Sequence, residues 1–111
     1  MRTFDLRKMA AGGEYVLGVK DTGSHACYMI YGVLGPGEKG RLVRPGKGHE
    51  EIVLSARGEI RVTGAVSGPL PEGSAFHIAG EAECFLENAG SGEAVYVIAG
   101  GHPPEGGGHH R

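Results

Sequence analysis

Six histidines, two cysteines and thirteen acidic residues are the side chains of this 111-residue chain best suited to ligation or proton transfer. His49 and Glu51 stand two apart in the run His49-Glu50-Glu51-Ile52-Val53-Leu54-Ser55. On a strand, residues two apart share a face, so an inward Glu51 brings His49 with it and leaves Glu50 to solvent. Arg41, Arg44 and Arg57 lie nearby; an inward Arg44 could clamp a carboxylate, whereas a solvated basic edge would guard against stray strand pairing. Cys27 and Cys84 are too few and too far apart for a disulfide framework, which suggests reduced thiols and a cytoplasmic protein. Pro45-Gly46-Lys47-Gly48 lacks the spacing of a phosphate-binding loop. No serine has an Asp/His arrangement that would make it a nucleophile.

The elements that must position these groups are short. Apolar residues alternate with period two along Thr3–Lys8, Glu14–Lys20, Ala26–Leu34, Gly40–Arg44, His49–Ser55, Glu59–Val66, Ser74–Ile78, Ala82–Glu87 and Ala94–Ala99. Turn clusters separate them, among them Gly35-Pro36-Gly37, Pro69–Gly73 and Ala89-Gly90-Ser91-Gly92. Ala56-Arg57-Gly58 reads as a hairpin between two strands. No segment holds a capped helical period over ten residues, so the pattern predicts eight or nine strands in an all-β sandwich or barrel. Tyr28 and Tyr31 have opposite parity, so only one can line the interior.

Composition narrows the function classes. Glycine is about three times its average usage, at 22 residues, but without the G-X-Y period of collagen. A net charge of −2 with dispersed basic residues disfavours a nucleic-acid or anionic-membrane surface. The apolar runs are too short for a spanning helix, and Asp5 and Arg7 interrupt any export signal. The chain reads as one domain over residues 1–101, with a flexible His/Gly-rich tail over 102–111. In that tail His102, His109 and His110 would bind metal only adventitiously.

From Gly35 to Asn88 the chain resembles a small single-domain cupin, a double-stranded β-helix or jelly-roll barrel. Pro36-Gly37 matches the opening of the first cupin motif. Glu51 and Gly58 match its glutamate-to-glycine spacing, and Gly73 and Asn88 match the ends of the second motif. The departures are as informative. The two first-motif histidine positions hold Arg44 and Gly46, or Pro45 and Lys47 with the shorter spacing, and the second-motif histidine position holds Cys84.

The resemblance implies that the usual metal site is absent or rebuilt. A rebuilt site would use His49, Glu51 and Cys84, with His77 on the neighbouring strand, around a divalent zinc, iron or nickel ion. Two functions follow as expectations. The first is a non-enzymatic barrel that binds a small molecule or metal ion in its cavity. The second is a metal-dependent enzyme of the dioxygenase or isomerase type. A homodimer is also expected, as small cupins commonly pair sheets across a two-fold axis, with Thr3–Val19 as the contributing segment.

Overall fold

The computed structural model describes residues 1–101. The expected mobile tail, 102–111, lies outside the described residues. Nine strands form two antiparallel sheets: β1 (Glu14–Leu17), β2 (Cys27–Leu34), β3 (Arg41–Val43), β4 (Glu50–Arg57), β5 (Ile60–Gly64), β6 (Gly68–Leu70), β7 (Ala75–Ala79), β8 (Cys84–Asn88) and β9 (Ala94–Gly101). The larger sheet runs β1-β2-β9-β4-β7 and the smaller β3-β8-β5-β6. The alternation predicts an all-β sandwich or barrel, the resemblance implies the jelly roll, and the two antiparallel sheets agree with both.

Alternation sets which side chains fill the barrel. On β4, Glu51, Val53 and Ser55 are buried while Glu50 and Ile52 are exposed. Val53 and Ile98 from the larger sheet meet Val43, Ile60, Val62, Cys84 and Leu86 from the smaller one in a single core. Asn88, only 2% exposed, stitches one end of it. Its Nδ2 donates to the carbonyls of Leu34 (2.9 Å), Gly35 (3.0 Å) and Gly92 (2.7 Å), and its Oδ1 accepts from Gly90 N at 2.8 Å. A buried amide with all these bonds made ties the end of β2 to the 89–92 turn.

Four local expectations are corrected. Thr3–Lys8 is not an edge strand. Asp5 accepts from Lys8 N at 3.2 Å and starts a one-turn helix, α1 (Leu6–Met9), a capping role that suits aspartate. The strand expected over Glu14–Lys20 stops at Leu17, because Asp21 turns back to take Gly18 N (3.2 Å) and Tyr15 OH (2.8 Å), forming α2 (Val19–Thr22).

Ala56-Arg57-Gly58 does not make a hairpin, since β4 and β5 belong to different sheets. A register shift between Ser55 and Arg57 and a left-handed Gly58 (φ 81°) turn the chain through a corner instead. Gly68–Leu70, read as part of a break, is a short edge strand, and an edge is where Pro69 can sit without costing a ladder bond. Among the described residues no helix is long and apolar enough to cross a membrane.

Candidate functional site

Two cross-strand pairs shape the interior. On neighbouring strands β2 and β9, Tyr28 lies opposite Gly100 and Gly32 lies opposite Tyr96. Each tyrosine lies over its glycine: a Cβ at Gly100 would sit 2.4 Å from Tyr28 Cζ, and one at Gly32 would sit 2.0 Å from Tyr96 Cζ. The absent side chains are what let both rings lie across the sheet. Each phenol then reaches a glutamate.

Tyr28 OH donates to Glu51 Oε2 in a short hydrogen bond. Glu51 is 7% exposed, so this bond serves a carboxylate with little access to water. Burial first, then the bond and charge of Glu51, raise the Tyr28 pKa, so the phenol stays a donor. Cys84, fully buried, faces the interior from the opposite sheet. Burial and the Glu51 charge push its thiol up as well, which keeps it protonated and a poor nucleophile.

At another level of the barrel Tyr96 OH donates to Glu14, again in a short bond. Arg41 Nε donates to the same carboxylate at 2.6 Å and lies 3.1 Å from Tyr96 OH. Burial raises the Glu14 pKa, but the bonds from Arg41 and Tyr96 outweigh it and hold it below its usual value. Tyr96 is pushed up to about 12, by burial first and then by its bond to Glu14. Because β1 and β3 are edge strands of different sheets, the Glu14–Arg41 pair clips the two sheets together.

The four expected metal ligands do not assemble. Glu51 and Cys84 enter the interior, but His77 pairs in register with Ile52 and so shares the outer face with Glu50. Its Nε2 is 2.7 Å from Glu50 Oε1, and its side chain is 59% exposed. His49, half-buried, sits in the turn before β4, where its amide donates to Gly46 O at 3.0 Å and its carbonyl accepts from Gly80 N at 2.8 Å. Among the described residues no three His, Cys, Asp or Glu side chains converge to hold a metal ion. The donor set therefore does not fit the rebuilt zinc, iron or nickel centre. Arg44 does not fill the interior either, since it pairs loosely with Glu83 (3.5 Å) and Glu81 (3.9 Å) outside.

Two of the clefts on this frame involve the expected site residues. One, of about 360 Å³, lies between the free edges β6 and β7 and is lined by inward-facing Val62, Leu70 and Phe76 with Val66, Pro71 and, at its polar margin, Ser67, Ser74 and His77. The other, of about 290 Å³, is lined by Glu50, Glu51, Ile52, His77, Ala99, Gly100 and Gly101. Sequence reasoning misses the apolar cleft because it depends on which strands end up as edges. It also misses both tyrosine–glutamate pairs, whose only signal is a glycine opposite each tyrosine once the register is known.

No family model and no curated protein matches the sequence. Solved structures do match its fold. TT1209 from Thermus thermophilus superposes with a TM-score of 0.70 at 19% identity, over 94% of this chain and 100% of that one. A cupin-superfamily sugar phosphate isomerase from Silicibacter pomeroyi gives 0.66 at 17%, over 94% and 69%. The cupin domain of Schizosaccharomyces pombe Cnp3 gives 0.62 at 13%, over 70% of this chain and about half (54%) of that one. The chain therefore has the fold of a small cupin domain.

Proposed function

We propose that this protein is a non-catalytic barrel that binds a small, largely apolar molecule at the cleft between β6 and β7. The observation that carries this reading is the cleft itself. At about 360 Å³ it falls in the size range of small-molecule sites, and its apolar wall of Val62, Leu70 and Phe76 meets a few polar groups at the margin. The reactive groups point away from catalysis: the Cys84 thiol is held protonated, and Glu51 already accepts from Tyr28. Two unpaired cysteines suit a reducing, cytoplasmic setting.

The test is amide and methyl chemical-shift mapping with a library of small aromatic and aliphatic alcohols and acids. Saturable shifts confined to Val62, Leu70 and Phe76, abolished in Phe76→Ser, are expected. Saturable shifts elsewhere, or none with any compound, would overturn the reading. A metal-dependent enzyme of the dioxygenase or isomerase type is the second reading, favoured by Glu51 and Cys84 reaching the interior from opposite sheets. It requires stoichiometric zinc, iron or nickel in protein purified without a tag, lost in Cys84→Ala. We expect substoichiometric metal and a melting temperature unchanged by chelator.

A further inference from the structure

Away from the β6–β7 cleft the two sheets part again, because β1 and β3 are the strands at the other end of each sheet. A cleft of about 270 Å³ opens along this seam. Gly12, Gly13 and Gly40 line part of it, and a Cβ built on any of the three would meet nothing within 4 Å, so their backbone lies open to a ligand. Val33 and Leu34 add an apolar portion. Where the β6–β7 cleft is mostly apolar, this one is lined by four charged side chains, two of each sign: Glu14 and Glu38, Lys39 and Arg41.

We infer that this cleft binds a free α-amino acid as its zwitterion, the ligand carboxylate on Arg41 and Lys39 and the ligand ammonium on Glu14 and Glu38. Three observations carry the inference. The first is the atoms left over. Glu14 Oε1 accepts from both Tyr96 OH and Arg41 Nε, and Arg41 Nη1 donates to Leu42 O. No bond among the described residues uses Glu14 Oε2 or Arg41 Nη2, so an acceptor and a donor of opposite charge remain on adjoining groups. The second is preorganisation. The Arg41 guanidinium carbon lies 5.5 Å from the centre of the Tyr96 ring. Glu38 Oε1 accepts from Gly35 N at 2.9 Å, while the Glu38 backbone donates to Gly35 O (3.0 Å) and accepts from Asn88 N (2.8 Å). Both groups are in place before a ligand arrives, which lowers the ordering cost of binding.

The third observation is charge balance. A simple anion here would be repelled by Glu14 and Glu38, and a simple cation by Lys39 and Arg41; a zwitterion answers both signs. The Arg41 and Glu14 side chains are only 24% and 33% exposed, so charge-assisted bonds to a ligand form partly out of water, where they are stronger. Volume sets the size. About 270 Å³ falls below the roughly 300–1,000 Å³ of sites for drug-sized ligands and suits a molecule as small as an amino acid. The inference is independent of what the β6–β7 cleft binds.

The experiment is isothermal titration calorimetry of the full chain with each standard L-α-amino acid at millimolar concentration. At least one should give saturable heat. Its N-acetyl and methyl ester derivatives, which each remove one charge, should bind about tenfold more weakly or worse. Lys39→Met and Glu38→Gln should each weaken the same ligand about tenfold, with the circular dichroism spectrum and melting temperature unchanged. Lys39 is exposed, and glutamine keeps the oxygen that accepts from Gly35 N. Amide shifts on binding should centre on Gly12, Gly13 and Gly40 and leave Val62 and Phe76 in place. No saturable heat with any amino acid, charge-blocked derivatives that bind as tightly as the parent, full affinity in both variants, or shifts confined to the β6–β7 cleft would each overturn the inference.

Discussion

Removing the Tyr28 hydroxyl tests the interior most directly. Glu51 is 7% exposed, and the hydrogen bond it receives comes from Tyr28. Tyr28→Phe keeps the ring over Gly100 and deletes that donor alone. A hydrogen bond to a charged group is worth about 1.5–3 kcal/mol, and the carboxylate left behind has little water to replace it. We expect a loss of about 2 kcal/mol at neutral pH, or roughly 8–16 °C in melting temperature for a domain of this size. The assay is urea unfolding followed by circular dichroism, on wild type, Tyr28→Phe, Glu51→Met and the double variant. In Glu51→Met the tyrosine hydroxyl is only half-buried and turns to water. Adding Tyr28→Phe to that background should therefore cost almost nothing, and the cycle should show a coupling close to the whole 2 kcal/mol. A Tyr28→Phe cost within the ~0.5 kcal/mol typical of surface changes would refute the claim that this bond holds the buried carboxylate.

Other outcomes follow from the same frame. Tyr96 is held protonated up to about 12 in the folded chain, against about 10 when unfolded. Its contribution to stability is thus complete below about pH 10 and lost as pH rises toward 12, at no more than about 1.4 kcal/mol per unit. Urea midpoints should fall over that range, and Tyr96→Phe should flatten the fall; an equal slope in both proteins would exclude Tyr96 as the cause. Gly32→Ala would place a Cβ 2.0 Å from Tyr96 Cζ, so it should destabilise by about 3 kcal/mol, with partial rescue by Tyr96→Val but none by Tyr96→Phe, measured as urea midpoints. Cys27 is exposed and Cys84 buried with a raised pKa, so a disulfide reagent should titrate one thiol in the native chain and the second only on unfolding.

Much of the fold was legible because period-two alternation survives burial. Val53 and Ser55 on β4, or Leu86 and Asn88 on β8, separate from their outward neighbours by parity alone. What stayed hidden depends on how strands meet. His77 sits two residues from Ala79 and one from Ile78, and nothing local says which parity faces Glu51. The register that pairs Ile78 with Glu51 decides it and sends His77 outside. The Ala56-Arg57-Gly58 corner carries the same glycine as a hairpin, and only the sheet assignment of β4 and β5 tells the two apart. Asp5 and Asp21 turned two expected strand segments into helical turns, because short side-chain caps act over three residues and override a weak alternation.

The reciprocal placement of Tyr28 over Gly100 and Tyr96 over Gly32 also acts as a ruler. A slip of two residues between β2 and β9 keeps every side chain on its own face, so parity alone does not forbid it. It would, however, set Tyr28 against Ile98 and Tyr96 against Ile30, crowding both rings at once and leaving two glycines with nothing to cover them. The strands are therefore keyed to one alignment by bulk at two points. Each key works only as a couple, so descendants of this barrel should exchange these positions in concert, a large residue on one strand answered by a glycine on the other. The central seam of the sheet would then record its alignment in paired substitutions rather than in any single invariant residue.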